Sequence, residues 1–269
     1  MATTTVETSK LIDYRTEAGV AVITMTDPPA NTYTYEMNRQ LDDAILKARM
    51  DNDVHVIVLT GAGDKFFSAG ANIKMLASVD PTFKYYFCLH ANETLLRLEH
   101  TPKLVIAALN GHTVGGGLEI AMACDLRLAR GGTADKIGLP EVNLGVLPGT
   151  GGTQRLSRMV GKSKAIELMV TGNTFSMEEA KEIGLVNELM GRDNFMEEAF
   201  EYARQFCPPN KAAKAVGHIK RSVQTGWELP MESALAVERE LQALLFNSQD
   251  AKEGLNAYVD KRPATFTAK

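Results

Sequence analysis

The chain has 269 residues, 45% of them hydrophobic and 23% charged, with a net charge of −4. That length allows one large domain, or one domain with a smaller appendage, and the apolar content excludes a disordered chain. The negative balance and the lack of a long basic run argue against nucleic acid as the main partner.

The start, MATTTVETSKLIDYRTEAG, has neither an apolar signal core nor an Arg-rich amphipathic pattern. No run of about 18 apolar residues occurs, so no membrane span and no membrane partner are expected. Cys88, Cys124 and Cys207 are odd in number, far apart and without CxxC spacing. They read as buried thiols of a reducing compartment, and a cytoplasmic location is expected. The histidines at 55, 90, 100, 112 and 218 lack ligand spacing, so no metal site is expected.

Val20–Met25 is a β-branched run ended by Asp27-Pro28-Pro29, which predicts a strand and a turn. Helical spacing follows over 34–50. Val54–Leu59 is a continuous apolar run closed by Gly61-Ala62-Gly63, the pattern of a strand buried on both faces. A helix is predicted over 82–99, a buried strand at Leu104–Leu109, and a helix entered through Gly115–Gly117. Leu126–Ala129 completes an alternation of strand and helix, the mark of an α/β layer architecture. Helices are then expected over 151–159 and 162–171. Ser176-Met177-Glu178-Glu179 reads as a capping box opening another, which Gly184 stops. Beyond about 193 only helices are suggested: 193–207, 210–225, 230–247 and 250–260. Ala234, Val237, Leu241 and Leu245 form one helical stripe, fitting either core packing or a subunit interface.

Chemistry concentrates in two loops and two carboxylates. The segment Asp64–Lys74 follows the 54–60 strand, and its small residues 68–71 let a ligand approach the backbone, with a free N–H at Ala71. A tight strand-to-helix connection is the alternative. Gly115-Gly116-Gly117 is a second such place, with close helix–strand packing as its alternative. It is not a GxGxxG fingerprint and no Walker A loop follows. The chain also lacks a Gly-x-Ser-x-Gly elbow, which disfavours a serine hydrolase. Two backbone N–H groups, one from each loop, can form an oxyanion hole for a carbonyl gaining negative charge. Glu119 lies three residues past Gly116, within one helical turn of the same place. Glu141 follows Gly138-Leu139-Pro140 and reads either as a site carboxylate or as a helix cap or surface turn. Two glutamates near one water molecule are the equipment of general acid–base catalysis.

The segments GDKFFSAGANIK (63–74), ALNGHTVGGGLEIAMACDLRLA (108–129), GLPEVNLGVLPGTGGTQRL (138–156) and FNSQDAKEGLNAYVDKRPATF (246–266) together resemble the crotonase (enoyl-CoA hydratase/isomerase) superfamily. The resemblance runs from about residue 10 to 266 in the family's order and spacing. It implies an α/β fold of the ClpP/crotonase kind: a spiral of ββα units over 1–195, followed by a helical C-terminal trimerisation region over 196–269. It also implies a homotrimer or a hexamer built as a dimer of trimers, and an acyl-CoA substrate whose coenzyme A makes a separate cofactor unnecessary. The N–H groups of Ala71 and Gly116 would hold the thioester oxygen. Residues Ala69, Gly70, Ala71, Asn72, Ile73 and Lys74 would line the CoA path, with Lys65, Lys74 or Lys261 near its phosphates.

Glutamates at both 119 and 141 are the pattern of the family's hydratases. The implied reaction adds water across the double bond of a 2-enoyl-CoA. Glu119 would take the water proton as it attacks C3, and Glu141 would protonate C2. Other family chemistry on an acyl-CoA, such as isomerisation or hydration of a branched or cyclic substrate, is the enzyme alternative. A non-catalytic RNA- or protein-binding homologue is the alternative of another class. Asn72 stands where an aspartate is frequent, and Tyr33 and Tyr35 stand where small residues are frequent. These tyrosines, with Met75, Leu76 and the cluster Phe83-Tyr85-Tyr86-Phe87, either shape the acyl pocket or pack the core.

Overall fold

The computed structural model of the chain describes residues 9–269. Residues 1–8, part of the stretch read above for a targeting signal, lie outside the described residues. The chain runs β1 (Ile12–Glu17), β2 (Val20–Met25), α1 (Tyr35–Met50), β3 (Val56–Gly61), β4 (Phe66–Ser68), α2 (Ile73–Ser78) and α3 (Pro81–Glu99). It continues through β5 (Leu104–Leu109), β6 (His112–Val114), α4 (Gly116–Met122), β7 (Leu126–Arg130) and β8 (Lys136–Gly138). A one-turn 3-10 helix, Glu141–Leu144, precedes α5 (Gly152–Val160), α6 (Lys162–Thr171), β9 (Phe175–Ser176), α7 (Met177–Glu182) and β10 (Glu188–Met190). The rest is helical: α8 (Phe195–Arg204), α9 (Ala213–Trp227), α10 (Met231–Phe246) and α11 (Gln249–Val259).

The strands form two sheets. A six-stranded sheet has the order β1-β2-β3-β5-β7-β10, and a four-stranded sheet has the order β4-β6-β8-β9. Each turn of the spiral gives one strand to each sheet: β3 then β4, β5 then β6, β7 then β8. The pairs between successive turns are parallel, while β1 and β9 pair antiparallel with β2 and β8. The sequence predicts four strands, β2, β3, β5 and β7, all of them in the larger sheet. Strands of three residues, such as β4, β6 and β8, are too short for a period-2 signal to emerge.

Both faces of the large sheet are covered, which is why β3 and β5 read as unbroken apolar runs. Ile57, Leu59, Val105, Ala107 and Leu109 face the main core with α1, α3 and α4. Val56, Val58, Ile106 and Ala108 face a second core with Phe195, Ala199 and Ala203 of α8. The capping box at α7 forms as expected, with Glu179 N donating to Ser176 Oγ and Ser176 N donating to Glu179 Oε2.

A buried ion pair adds to the hold of the helical tail on this core. Lys220 Nζ of α9 meets Asp125 Oδ2 at 2.8 Å and donates to the carbonyl of Lys103 at 3.0 Å. Val105 N and Gln224 Nε2 also donate to Asp125. In the predicted stripe Leu241 is buried, while Ala234, Val237 and Leu245 are half-buried. Ala234 lies against Gly226 of α9, so that end of the stripe packs on the neighbouring helix. No described helix is long and apolar enough to cross a membrane.

Candidate active site

The 68–72 loop is laced to the segment before α1. Ala69 N donates to Ala30 O (2.9 Å), Tyr33 N to Gly70 O (3.0 Å) and Asn72 N to Tyr33 O (3.0 Å). Ser68 Oγ donates to Asn31 O at 2.7 Å and accepts from Gly70 N at 3.1 Å. These bonds engage the neighbours of Ala71 but not Ala71 itself, whose N–H has no acceptor among the described residues. Asn72 caps α2, its Oδ1 accepting from Met75 N at 3.0 Å. An aspartate would cap in the same way, so the exchange noted in the sequence keeps the local fold.

The glycine corner before α4 meets this loop. Gly70 has φ +88°, and a Cβ there would stand 2.7 Å from Gly116 N. Only glycine lets the two backbones approach so closely in that conformation. Gly116 opens α4, and its N–H also lacks an acceptor among the described residues. A Cβ on Gly116 would stand 2.3 Å from Tyr33 Cε1. The amides of Ala71 and Gly116, 45 residues apart in the chain, thus come from two loops in direct contact.

The two carboxylates flank this corner in unlike surroundings. Glu119, one turn into α4, is 2% exposed. Its Oε1 accepts from Thr150 N (2.8 Å) and Gly152 N (2.7 Å), and its Oε2 accepts from the Thr150 hydroxyl. Glu141 begins the 3-10 helix after Pro140, and its Oε1 lies 3.1 Å from where a Cβ on Gly115 would stand. Its Oε2 is buried with no hydrogen-bond partner among the described residues. Burial pushes the Glu141 carboxyl up to about 7; the charge of Glu119 adds to the rise, while its own backbone N–H and Lys84 oppose it. One carboxylate is saturated with donors, while an oxygen of its neighbour has none among the described residues.

Tyr33 is 3% exposed and stacks on Phe87, with centroids 5.6 Å apart. Tyr85 and Tyr86 are exposed and stand apart from this cluster. Ile73, Lys65 and Lys74 are exposed along the 64–74 segment. Lys261 follows α11, and no hydrogen bond or ion pair joins it to that segment among the described residues. Sequence reasoning missed Thr150 and Gly152, which hold Glu119. Their signal was the glycine-rich PGTGG stretch at 148–152, present in the matching segment but assigned no task.

Residues 15–269 match the enoyl-CoA hydratase/isomerase family. The chain belongs to that family. It is similar to a short-chain-enoyl-CoA hydratase of Clostridium acetobutylicum, 38% identical over 91% of this chain and 93% of the relative. A crotonyl-CoA hydratase of Syntrophomonas wolfei is 35% identical, over 94% of this chain and 96% of its own length. Among solved structures, an enoyl-CoA hydratase of Geobacillus kaustophilus superposes with a TM-score of 0.94 and 47% identity, covering 98% of this chain and 99% of that one. The crotonase fold expected from the sequence is the fold observed.

Proposed function

We propose that this family member is an enoyl-CoA hydratase, a hydro-lyase adding water reversibly across the double bond of a 2-enoyl-CoA to give a 3-hydroxyacyl-CoA. The observation that carries the reading is the unlike pair Glu119 and Glu141 beside the two unengaged amides. Glu119, turned by three donors, accepts a proton from the water that attacks C3. Glu141, whose carboxyl burial holds in the protonated range near neutrality, delivers a proton to C2. As negative charge grows on the thioester oxygen, the N–H groups of Ala71 and Gly116 receive it; one such donor is worth ~10²–10³ in rate.

Coenzyme A enters as part of the substrate, and this chemistry calls for no further cofactor. Residues 69–74 line its path, and Lys65 and Lys74, exposed beside the loop, meet its phosphates. Lys261 is assigned the same task from the C-terminal region. We assign catalysis to the spiral, described over residues 9–195, and assembly to the helical region 196–269. Exposed apolar residues on α9 to α11, Trp227, Leu244, Phe246 and Tyr258 among them, support a homotrimer or a dimer of trimers. The free cysteines, two of them buried, support a cytoplasmic, reducing location.

Crotonyl-CoA hydration, followed by loss of the conjugated thioester absorbance, tests the reading. Turnover is expected in the wild type. Glu119→Gln and Glu141→Gln each lose ~10²–10⁴ in kcat while still binding acyl-CoA. A wild type that hydrates no 2-enoyl-CoA overturns the function, and full turnover in both variants overturns the roles.

A further inference from the structure

The Thr150 hydroxyl carries one hydrogen, and it points at Glu119 Oε2. An ionised carboxylate only accepts, so that hydrogen is engaged and the Thr150 oxygen is left as an acceptor. Tyr33 Oη lies 3.2 Å from the same Thr150 oxygen. The phenol must therefore be the donor, and the chain of bonds runs in one direction, from Tyr33 to Thr150 to Glu119. Burial, with the charge of Glu119 adding to it, holds the Tyr33 phenol well above its ordinary range, so the donor keeps its proton. Thr150 and Tyr33 are 2% and 3% exposed, which leaves solvent no place in the chain.

Tyr33 is itself fixed from three sides. Its ring stacks on Phe87, its edge rests on Gly116, and its backbone pairs with Ala71 as an isolated parallel bridge. One residue thus touches both loops that present the unengaged amides and, through Thr150, the carboxylate. A phenylalanine at 33 would keep the stacking and lose only the last of these.

We propose that Tyr33 is a positioning residue for the hydration, holding Glu119 through the Thr150 hydroxyl in register with the amides of Ala71 and Gly116. The proposal rests on the reading of Glu119 as the base. It makes a residue 86 positions before Glu119 in the chain part of what orients it.

The test is a double-mutant cycle with Tyr33→Phe and Thr150→Val, which keep side-chain volume, plus Thr150→Ser. Tyr33→Phe is expected to lower kcat about fivefold with little change in KM, the worth of one neutral hydrogen bond. Thr150→Val, which removes the bond to the charged group, is expected to lower kcat roughly ten- to a hundredfold. The double variant should be no slower than Thr150→Val alone, because the phenol acts only through Thr150. Thr150→Ser should restore most of kcat. Additive losses, an unchanged kcat in Tyr33→Phe, or no rescue by serine would overturn the proposal. So would melting temperatures that fall in step with kcat across the series, since the hydroxyls would then be holding the fold. The same cycle run on urea midpoints reads the Tyr33–Thr150 contact without the reaction. If the wild type hydrates no 2-enoyl-CoA, the function fails with the positioning role, and additive midpoints would dismiss the contact as well.

Discussion

Glu141 is the residue whose environment most constrains the chemistry. Its carboxyl is pushed to about 7 by burial, from an ordinary value of 4.5. In the proposed role of proton donor to C2 it would have to be protonated, so kcat/KM for hydration should fall as pH rises through about 7, measured from pH 5 to 9. The same shift acts on stability. A carboxyl whose folded value is raised favours the fold fully below its unfolded value, and that contribution is lost as pH rises through the folded value. Glu141→Gln should therefore melt higher than the wild type at pH 8, and the gain should vanish as pH falls toward 4.5. Equal melting temperatures at pH 8 would mean that the Glu141 carboxylate is comfortably solvated.

Among the elements, α9 is joined to the sheet core by a buried ion pair. Its buried Lys220 pairs with Asp125, whose carboxyl burial pushes above the usual carboxylate range against the pull of Lys220. Removing one partner of a buried pair strands the other, at a cost of about 3–5 kcal/mol. Lys220→Met should lower the unfolding midpoint in denaturant by a corresponding amount. Adding Asp125→Asn, which keeps an acceptor for Val105 N while removing the stranded charge, should recover part of the loss. If the single variant is as stable as the wild type, the tail is held by something other than this pair.

At the scale of the molecule, the apolar residues left exposed on the tail set an expectation for assembly. Trp227 is 71% exposed, Phe246 62% and Tyr258 87%. Patches of such residues on a folded chain mark interaction surfaces. Light scattering should give three or six times the 29.3 kDa of one chain. Phe246→Glu combined with Tyr258→Glu should shift the mass toward that of a single chain. A wild type that runs as a monomer at micromolar concentration would rule out the trimer.

By itself the sequence determined four strands of the larger sheet, most of the helices and the two loops with their glutamates. Each is written in local signals: apolar runs at β3 and β5, helical spacing over α1 and α3, a capping box at Ser176, and glycines at 70 and 115–117. It could not determine the second sheet, because strands as short as β4, β6 and β8 exist only where a neighbouring turn of the spiral pairs with them. The division of work between Glu119 and Glu141 followed from the family resemblance alone, and its physical basis was not legible in the chain. Thr150 and Gly152, more than 30 residues away in sequence, saturate one carboxylate, while burial leaves an oxygen of the other without a partner. The task of Tyr33 was equally hidden, since a hydroxyl 117 residues from Thr150 acquires a direction only when both are packed against a charge. Residue types follow from the chain, but hydrogen-bond saturation and desolvation are properties of what folding brings alongside them.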